Sequence, residues 1–399
     1  MSSSPYAIEG SVSLSVFIDD IEFPFTKASQ LGFLHMSESS KLDIPMFHLQ
    51  ITDGIEFFKQ NPGLLIEGKP ITFEVEARGV DSFSYDFRIN ATKTEPATSG
   101  DVINIDGYLD YPKYWIETTR RSYVNKSTSA VLKEIAEYVG LTYIGPDTND
   151  SQNWYGGNSR YHSFCKEVAN RGYLGEESCL KIAVDFDGNM LYTDIAEVGE
   201  PLETFTLSTM EVGKIPIVSY IPKNIGGAAN RRSGYRLTLG EQSTMRPTLA
   251  RTHDKIKVTV DEGGELNLNQ DVKVAVRQGA HVIAPIDYGN VNENYHRARY
   301  QNNRGTSIYT FGLDIVTPVS TVGSGLTIFD TILVEAPTQQ EDLAGLYVIA
   351  TKAIVIADGQ YHEKFEIARR SVASTQAKTE VDSTKYEEPT SELYKDANV

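Results

Sequence analysis

The sequence contains little of what chemical sites are commonly built from. Its 399 residues include only two cysteines, Cys165 and Cys179, too few for a disulfide framework. Cys165 falls on the apolar face of a predicted helix, so we expect a buried free thiol, which fits synthesis in a reducing cytoplasm. The seven histidines are scattered and include no His-x3-His pair, so the spacing typical of metal ligands is absent.

Motifs for nucleotide binding and acyl transfer are also missing. There is no P-loop, Gly323 and Gly325 lack the rest of a dinucleotide fingerprint, and no G-x-S-x-G elbow occurs. The abundant Asp and Glu leave a carboxylate pair for glycoside hydrolysis open, but nothing selects one pair. Asp185 and Asp187 are interpreted as turn residues. The sequence therefore predicts a protein that is not an enzyme, with no catalytic, cofactor-binding or metal-ligating residue and no cofactor.

Long apolar runs and excess positive charge are lacking as well. The first 11 residues have neither a basic region nor an apolar run, and no stretch of about 18 apolar residues occurs, which predicts neither a signal peptide nor a membrane span. The 54 acidic residues exceed the 37 basic ones, giving a net charge of −17. This balance disfavours a phosphate-binding surface. An acidic wall can still face DNA without adhering to it.

Strand patterns dominate the chain. Its 22 Tyr and 16 Phe, against 6 Met, favour β structure. In residues 11–18, Val12, Leu14 and Val16 alternate with serines, and in residues 71–77 Glu74 and Glu76 fall on the polar face. Turn residues recur about every ten positions, which favours a barrel or sandwich over a βαβ sheet. A faint echo between residues 64–109 and 323–351 leaves two interpretations open: a duplicated barrel or chance similarity.

The stretch 122–192 departs from this pattern. Apolar residues at helical spacing predict a helix that Ser127 or Thr128 caps and that Gly140 ends. A polar loop with Trp154 precedes a second predicted helix, which ends at Gly172. A hairpin turning at residues 187–189 follows. The sequence therefore predicts a small α+β insert.

The second half again predicts strands, at 202–212, 215–221, 256–260, 271–279 and 281–289, and through residues 306–372. The basic loop 222–234 is either a solvated loop or a contact to an acidic neighbour. Asn292 or Asn294 can cap an exposed or interface helix. Residues 374–399 are rich in Ser and Thr, with more acids than bases. They predict a flexible acidic tail or a segment that orders on a partner.

Two regions of the chain carry a family resemblance. SYVNKSTSAVLKEIAEYVGLTYIG, a Trp-containing loop and SRYHSFCKEVANRGY resemble the middle region of phage tail baseplate hub proteins, a family that includes the hub portion of type VI secretion spike proteins. The run GSGLTIFDTILVEA, followed by LAGLYVIATKAIVIADGQYHEKFEIARRS, is similar to that family's last barrel strands. The resemblance covers most of residues 10–372.

The resemblance implies a mainly β fold with an α+β insert, in which two β-barrel tube-like domains flank the small α+β domain. The implied domains are a first barrel at 1–121, the insert at 122–200, a second barrel with inserted segments at 201–373 and the flexible acidic tail at 374–399. The type VI relatives continue into an OB-fold and a β-helix spike. This sequence stops before them, so the spike is expected to be a separate protein.

The implied function is that of a structural hub in a phage tail baseplate, assembled in the bacterial host cytoplasm. Three chains would form a ring that joins a sixfold tail tube to a threefold central spike and lets the genome pass without specific binding. The expected partners are two further copies, tail tube or tube-initiator proteins, the central spike, the tape measure protein and baseplate wedge proteins. Two alternatives stay open: a tail-tip hub of a non-contractile phage, and a β-rich carbohydrate-binding or glycan-degrading protein.

Overall fold

The structure is a computed structural model of the 399-residue chain. It describes residues 12–77, 80–175, 178–196, 199–207, 213–224, 234–240, 252–259, 281–284, 309, 311–318 and 325–369. The predicted helix after Asn292 and the acidic tail 374–399 lie outside these residues, as does most of the basic loop 222–234. The predictions for those segments therefore stay predictions.

Strands make up most of the described residues. Four short α-helices accompany them: α1 (Phe57–Gln60), α2 (Pro112–Trp115), α3 (Thr128–Val139) and α4 (Tyr161–Ala169). The strands are β1 (Val12–Ile18), β2 (Ile21–Glu22), β3 (Leu31–Ser39), β4 (Met46–Asp53), β5 (Pro70–Ala77), β6 (Val80–Ala97), β7 (Gly100–Leu109), β8 (Ser122–Lys126), β9 (Thr142–Ile144), β10 (Gln152–Tyr155), β11 (Leu180–Val184), β12 (Asn189–Asp194), β13 (Glu203–Thr206), β14 (Ile215–Pro216), β15 (Ser219–Asn224), β16 (Gly234–Gly240), β17 (Thr252–Thr259), β18 (His281–Ala284), β19 (Phe311–Pro318), β20 (Thr331–Glu335), β21 (Gly345–Ala357) and β22 (Gln360–Arg369).

Fourteen of these strands form one sheet that joins the two halves of the chain. One path through it runs β14-β13-β20-β21-β3-β4-β7-β6-β5-β1-β2. The pairing of β3 with β21 connects residues that are more than 300 positions apart. The β1 alternation predicted from the sequence holds, because Val12, Leu14 and Val16 are buried and the serines between them are less so. The mainly β prediction is therefore confirmed.

The sheet branches at β21, a strand long enough to take three partners. Its first residues pair with β20 and its last residues with β3, while β22 runs along residues 348–357. β19 and then β15 continue the sheet beyond β22. β13 pairs in parallel with both β14 and β20, whereas the other pairs of this sheet are antiparallel. Among the described strands the path ends at β14 and β2 and does not close into a barrel, so the two barrels stay a prediction.

The α+β insert has the elements that the sequence predicts. Ser127 caps α3, with its hydroxyl oxygen accepting from the backbone N–H of Ala130 at 3.3 Å, and Gly140 ends the helix at φ +90°. The carboxylate of Asp150 accepts from the N–H and hydroxyl of Thr128, placing negative charge at the start of the helix. β11 and β12 form the predicted hairpin, and the Asp185 carboxylate accepts from the backbone N–H of Asn189 at 2.8 Å.

The second helix of the insert is shorter than predicted. α4 ends at Ala169, where the hydroxyl of Tyr192 donates to the helix carbonyl at 2.8 Å. Gly172, predicted as the end of the helix, instead lies where a Cβ would collide with the Tyr192 hydroxyl and the Thr128 side chain. The glycine serves a close approach between elements and not a helix cap.

Two predicted strands of the second half are also shorter or divided. Of residues 202–212, only Glu203–Thr206 form a strand within the described part. Residues 215–221 divide into β14 and β15, because the chain leaves one arm of the sheet and joins another. Pro216, which lacks a backbone donor, lies in the two-residue β14 at the end of its arm.

The insert packs into the same core as the first half of the chain. The buried side chains of β1, β3–β7, α3 and α4 form one cluster, and a second cluster holds those of β13, β19, β20 and much of β21 and β22. Tyr85 stacks on Phe186 of the β11–β12 turn at 4.9 Å. Cys165 is a fully buried free thiol, as predicted, and Cys179 is also buried.

Candidate assembly surfaces

Chemistry-bearing side chains come together at one place on the main sheet. His35 and His48 are cross-strand neighbours on β3 and β4, and Nδ1 of His48 contacts the carboxylate of Asp106 on β7. Burial and the nearby Lys364 ammonium hold the pKa of His35 below its usual range. Within the described residues, no three His, Cys, Asp or Glu side chains are placed to hold a metal ion.

These side chains line a cleft of about 380 Å³ on the outer face of the sheet. Trp115 and Tyr108 contribute its aromatic wall. The Trp115 ring, however, stacks on His162 with a 4.7 Å centroid distance and lies 5.7 Å from the Tyr108 ring. The ring face of Trp115 that stacks on His162 is therefore not available to a ligand in the cleft.

The outer face of β1, β2, β5 and β6 is acidic and hydroxyl-rich. Glu74 and Glu76 are exposed there, as their strand pattern predicts. Glu22 lies opposite Phe17 of β1 and Asp86 lies opposite Thr72 of β5, so both add negative charge to this face. The Asp86 carboxylate accepts a hydrogen bond from the Thr72 hydroxyl at 2.7 Å. Arg88, at the end of this face, is paired with Asp110. We call the surface of Glu22, Glu74, Glu76 and Asp86 the acidic face.

Several strands have an edge without a partner among the described residues. β15 pairs with β19 and has no strand on its other side. It carries Ile221, which is 63 % exposed, together with Pro222 and Lys223, two residue types that discourage uncontrolled strand pairing. Lys223, from the predicted basic loop, contacts the carboxylate of Asp314 on β19. Val218, directly before β15, adds exposed apolar surface to this edge.

A second exposed surface belongs to the two-stranded sheet of the insert. β8 and β10 pair in antiparallel fashion, with Tyr123 opposite Trp154 on the buried side. On the opposite side, Val124 is 65 % and Tyr155 is 75 % exposed. The backbone pairing continues past the strands, through Thr118 and Arg160. We call residues 118–126 together with 152–160 the ribbon.

Sequence reasoning missed Glu38, a buried carboxylate that contacts the insert and the second half of the sheet. Glu38 on β3 is 1 % exposed and lies opposite the buried Lys352 of β21. The alternation of Leu34, Met36 and Glu38 already placed this carboxylate on the inward face. Because glutamate side chains are usually exposed, the residue type indicated the solvent side and the alternation pattern was not followed.

Comparison with known proteins relates the chain to others by its fold. No protein-family model and no curated protein matches the sequence. Among solved structures, the 43 kDa tail protein of prophage MuSo2 from Shewanella oneidensis aligns with a TM-score of 0.60 at 12 % identity, over 90 % of this chain and 99 % of its own. The tail protein from Neisseria meningitidis MC58 gives 0.56 at 11 %, over 91 % and 98 %.

A third solved structure agrees with these two. The prophage tail protein gp18 from Listeria monocytogenes EGD-e aligns with a TM-score of 0.52 at 10 % identity, over 89 % of this chain and 94 % of its own. All three are named as tail proteins. Within the described residues no helix has the length and apolar composition needed to cross a membrane. The chain has the fold of phage tail proteins, which confirms, at the level of fold, the resemblance seen in the sequence.

Proposed function

We propose that the chain is a structural hub of a phage tail baseplate and has no enzymatic activity. The observation that carries this proposal is the alignment of 90 % of the chain with nearly the whole length of a phage tail protein. An alignment of that extent includes both halves of the sheet and the insert. The protein would therefore work in the virion tail, after assembly in the cytoplasm of the bacterial host.

The hub would be a ring of three chains. Residues 1–121 and 201–373 would supply two similar tube-like barrel domains per chain, with the insert of residues 122–200 between them. Three chains then present six similar units, so the ring can meet a sixfold tail tube on one side and a threefold spike on the other. Exposed strand edges such as that of β15, which carries the exposed Ile221, support closure of the ring through contacts between chains.

The partners follow from this position. The tube or its initiator proteins would bind one side of the ring, the central spike the other, and baseplate wedge proteins the outside. The tape measure protein and then the genome would occupy the channel. The acidic face supports passage without adhesion, because carboxylates repel phosphates.

The stoichiometry of the purified protein tests the proposal. Mass photometry should give a particle of three times 44.3 kDa, about 133 kDa, and negative-stain images should show a ring with a central channel. If the spike acts as a template, the same species should form on its addition. A protein that stays monomeric both alone and with its spike would refute the hub. A tail-tip hub of a non-contractile phage would also form a ring, but would copurify with tail-tip proteins and not with baseplate wedges.

A further inference from the structure

The ribbon is basic within a strongly acidic chain. Its two segments contain the basic residues Arg120, Arg121, Lys126 and Arg160 and no Asp or Glu, whereas the whole chain has 54 acids against 37 bases. Lys126 is paired with Glu134 of α3. The three arginines are exposed, and among the described residues none of them is in an ion pair. They therefore form a local positive field with available donors.

Two of the arginines are held in place by contacts with uncharged side chains. Nε of Arg120 donates to the side-chain oxygen of Asn158 at 3.0 Å, and the guanidinium of Arg121 lies 4.2 Å from the centre of the Tyr138 ring. Next to them, Val124 and Tyr155 present apolar surface to solvent. Exposed apolar groups rimmed by charge of one sign are typical of a surface that binds a partner of opposite charge.

Residues 374–399 have the complementary composition. They contain six acids (Glu380, Asp382, Glu387, Glu388, Glu392 and Asp396) and three bases (Lys378, Lys385 and Lys395). The acids are interspersed with apolar anchors, including Tyr386, Leu393 and Tyr394. Such a segment can place carboxylates on the arginines while its aromatic rings cover Val124 and Tyr155.

The described chain ends close enough for this segment to reach the ribbon. Near the end of β22, Glu366 binds Lys41 at 2.8 Å in the turn between β3 and β4. Two residues further along that turn, Asp43 contacts Lys166 of α4, and α4 begins directly after Arg160. These contacts span a few tens of ångströms at most, while a 30-residue chain can extend to about 100 Å.

We propose that residues 374–399 dock on the ribbon of their own chain. The arginines would bind the carboxylates of the segment, and Val124 and Tyr155 would receive its aromatic side chains. The high effective concentration of a tethered segment favours this intrachain contact over one made with another copy. The proposal gives the tail a binding surface and does not depend on the hub function.

Photocrosslinking in the full-length protein tests this docking. A photoreactive phenylalanine analogue replaces Tyr155, and mass spectrometry locates the crosslinked residues. We expect crosslinks within residues 374–399 that leave the product at the 44.3 kDa of one chain under denaturing conditions, with a yield that falls severalfold at 1 M salt, where the Debye length is about 3 Å. The same analogue at the exposed Ile66, in the loop before β5, should give no such crosslinks.

Charge variants separate docking from chance proximity. Arg120→Glu with Arg160→Glu should reduce the crosslink yield at least fivefold, and Glu387→Lys with Glu388→Lys in the same protein should restore it. Lys93→Glu with Lys133→Glu, at two exposed positions outside the ribbon, reverses the same number of charges and should leave the yield unchanged. Crosslinks to other segments, a denatured product with the mass of two chains, or a yield insensitive to the arginine reversal would each overturn the proposal.

Discussion

The carboxylate of Glu38 accepts a hydrogen bond from the backbone N–H of Phe186 at 2.7 Å, joining β3 to the β11–β12 turn of the insert. Its other oxygen accepts from the hydroxyl of Thr327 at 3.0 Å, in the segment that leads to β20. The neighbouring Lys352 donates to the carbonyl of Leu326 at 2.6 Å. One buried carboxylate thus ties together the first half of the sheet, the insert and the second half.

The protonation of Glu38 should make stability depend on pH. Burial raises its pKa from the usual 4.5 to about 7, although the Lys352 ammonium opposes the shift. The folded state then keeps a proton that the unfolded state loses, so the free energy of unfolding decreases as pH rises from 4.5 to 7. At about 1.4 kcal/mol per pKa unit, this contribution changes by on the order of 3 kcal/mol over that window.

Urea unfolding of the protein and of Glu38→Gln, each from pH 4.5 to 7.5, isolates this effect. Burial also raises the pKa values of Asp185, Asp330 and Glu363, so only the difference between the two proteins reports Glu38. We expect the original protein to lose stability relative to the variant as pH rises. A difference that is constant with pH would show that Glu38 titrates normally. Glu74→Gln on the acidic face is the exposed control and should change stability by less than about 0.5 kcal/mol.

Gly188 should tolerate alanine far less well than a glycine of similar backbone conformation. It has φ +76° in the turn of the insert hairpin, and a Cβ there would collide with the Tyr111 ring and hydroxyl. Gly188→Ala should cost about 1–2 kcal/mol for the left-handed backbone and about 1–3 kcal/mol more for overpacking. Gly68 has φ +84° with nothing within 4 Å of its Cβ position, so Gly68→Ala should show only the backbone cost. Equal losses in urea unfolding would rule out the packing contribution of Tyr111.

Local sequence signals identified the insert and the strand faces correctly. The cap at Ser127, the left-handed Gly140 and the turn at Asp185 each depend on residues within a few positions of one another, so the local pattern contains the information. The same holds for the alternation of Glu74 and Glu76 with buried residues. Interactions of this kind are what propensity and periodicity encode.

The branching of the sheet and the buried charge could not be predicted in that way. The paired residues of β3 and β21 are more than 300 positions apart in the sequence. Those of the parallel pair β13 and β20 are more than 100 positions apart. No local pattern specifies such partners. Gly172 was misassigned for the same reason, because the Tyr192 hydroxyl that requires a glycine comes from β12, 20 positions further along the chain. Alternation within β5 predicted that Glu74 and Glu76 are exposed. That Glu22 and Asp86 lie on the same face follows only from the register between neighbouring strands.

The two thiols should be unreactive in the folded protein. Cys165 is fully buried, and burial raises its pKa far above the usual range, so almost no thiolate is present at neutral pH. Cys179 is buried as well. An aromatic disulfide reagent at pH 7.5 should titrate fewer than about 0.1 thiols per chain within minutes, and both in 6 M guanidinium chloride. Rapid reaction of one thiol without denaturant would show that its surroundings open readily.

The acidic face should keep DNA moving through the proposed ring. The wild-type protein should bind duplex DNA negligibly at low salt, because its net charge is −17 and the face carries four carboxylates. The triple variant Glu74→Lys, Glu76→Lys and Asp86→Lys places three ammonium groups on that face. Phage particles assembled with this variant should release DNA more slowly, because the ammonium groups bind phosphates. The delay should become shorter as the salt concentration rises, since each phosphate contact contributes about −0.9 to the slope of the logarithm of the DNA-binding constant against the logarithm of the salt concentration.

A second triple variant separates the position of the charges from their number. Glu137→Lys, Asp147→Lys and Glu167→Lys change the net charge equally, but lie on the exposed surface of the insert. If the acidic face lines the channel, particles with these insert substitutions should release DNA at close to the wild-type rate, while those with the acidic-face substitutions should not. Equal rates in the two variants, or tight salt-sensitive binding of DNA by the wild-type protein, would place the acidic face outside the DNA path.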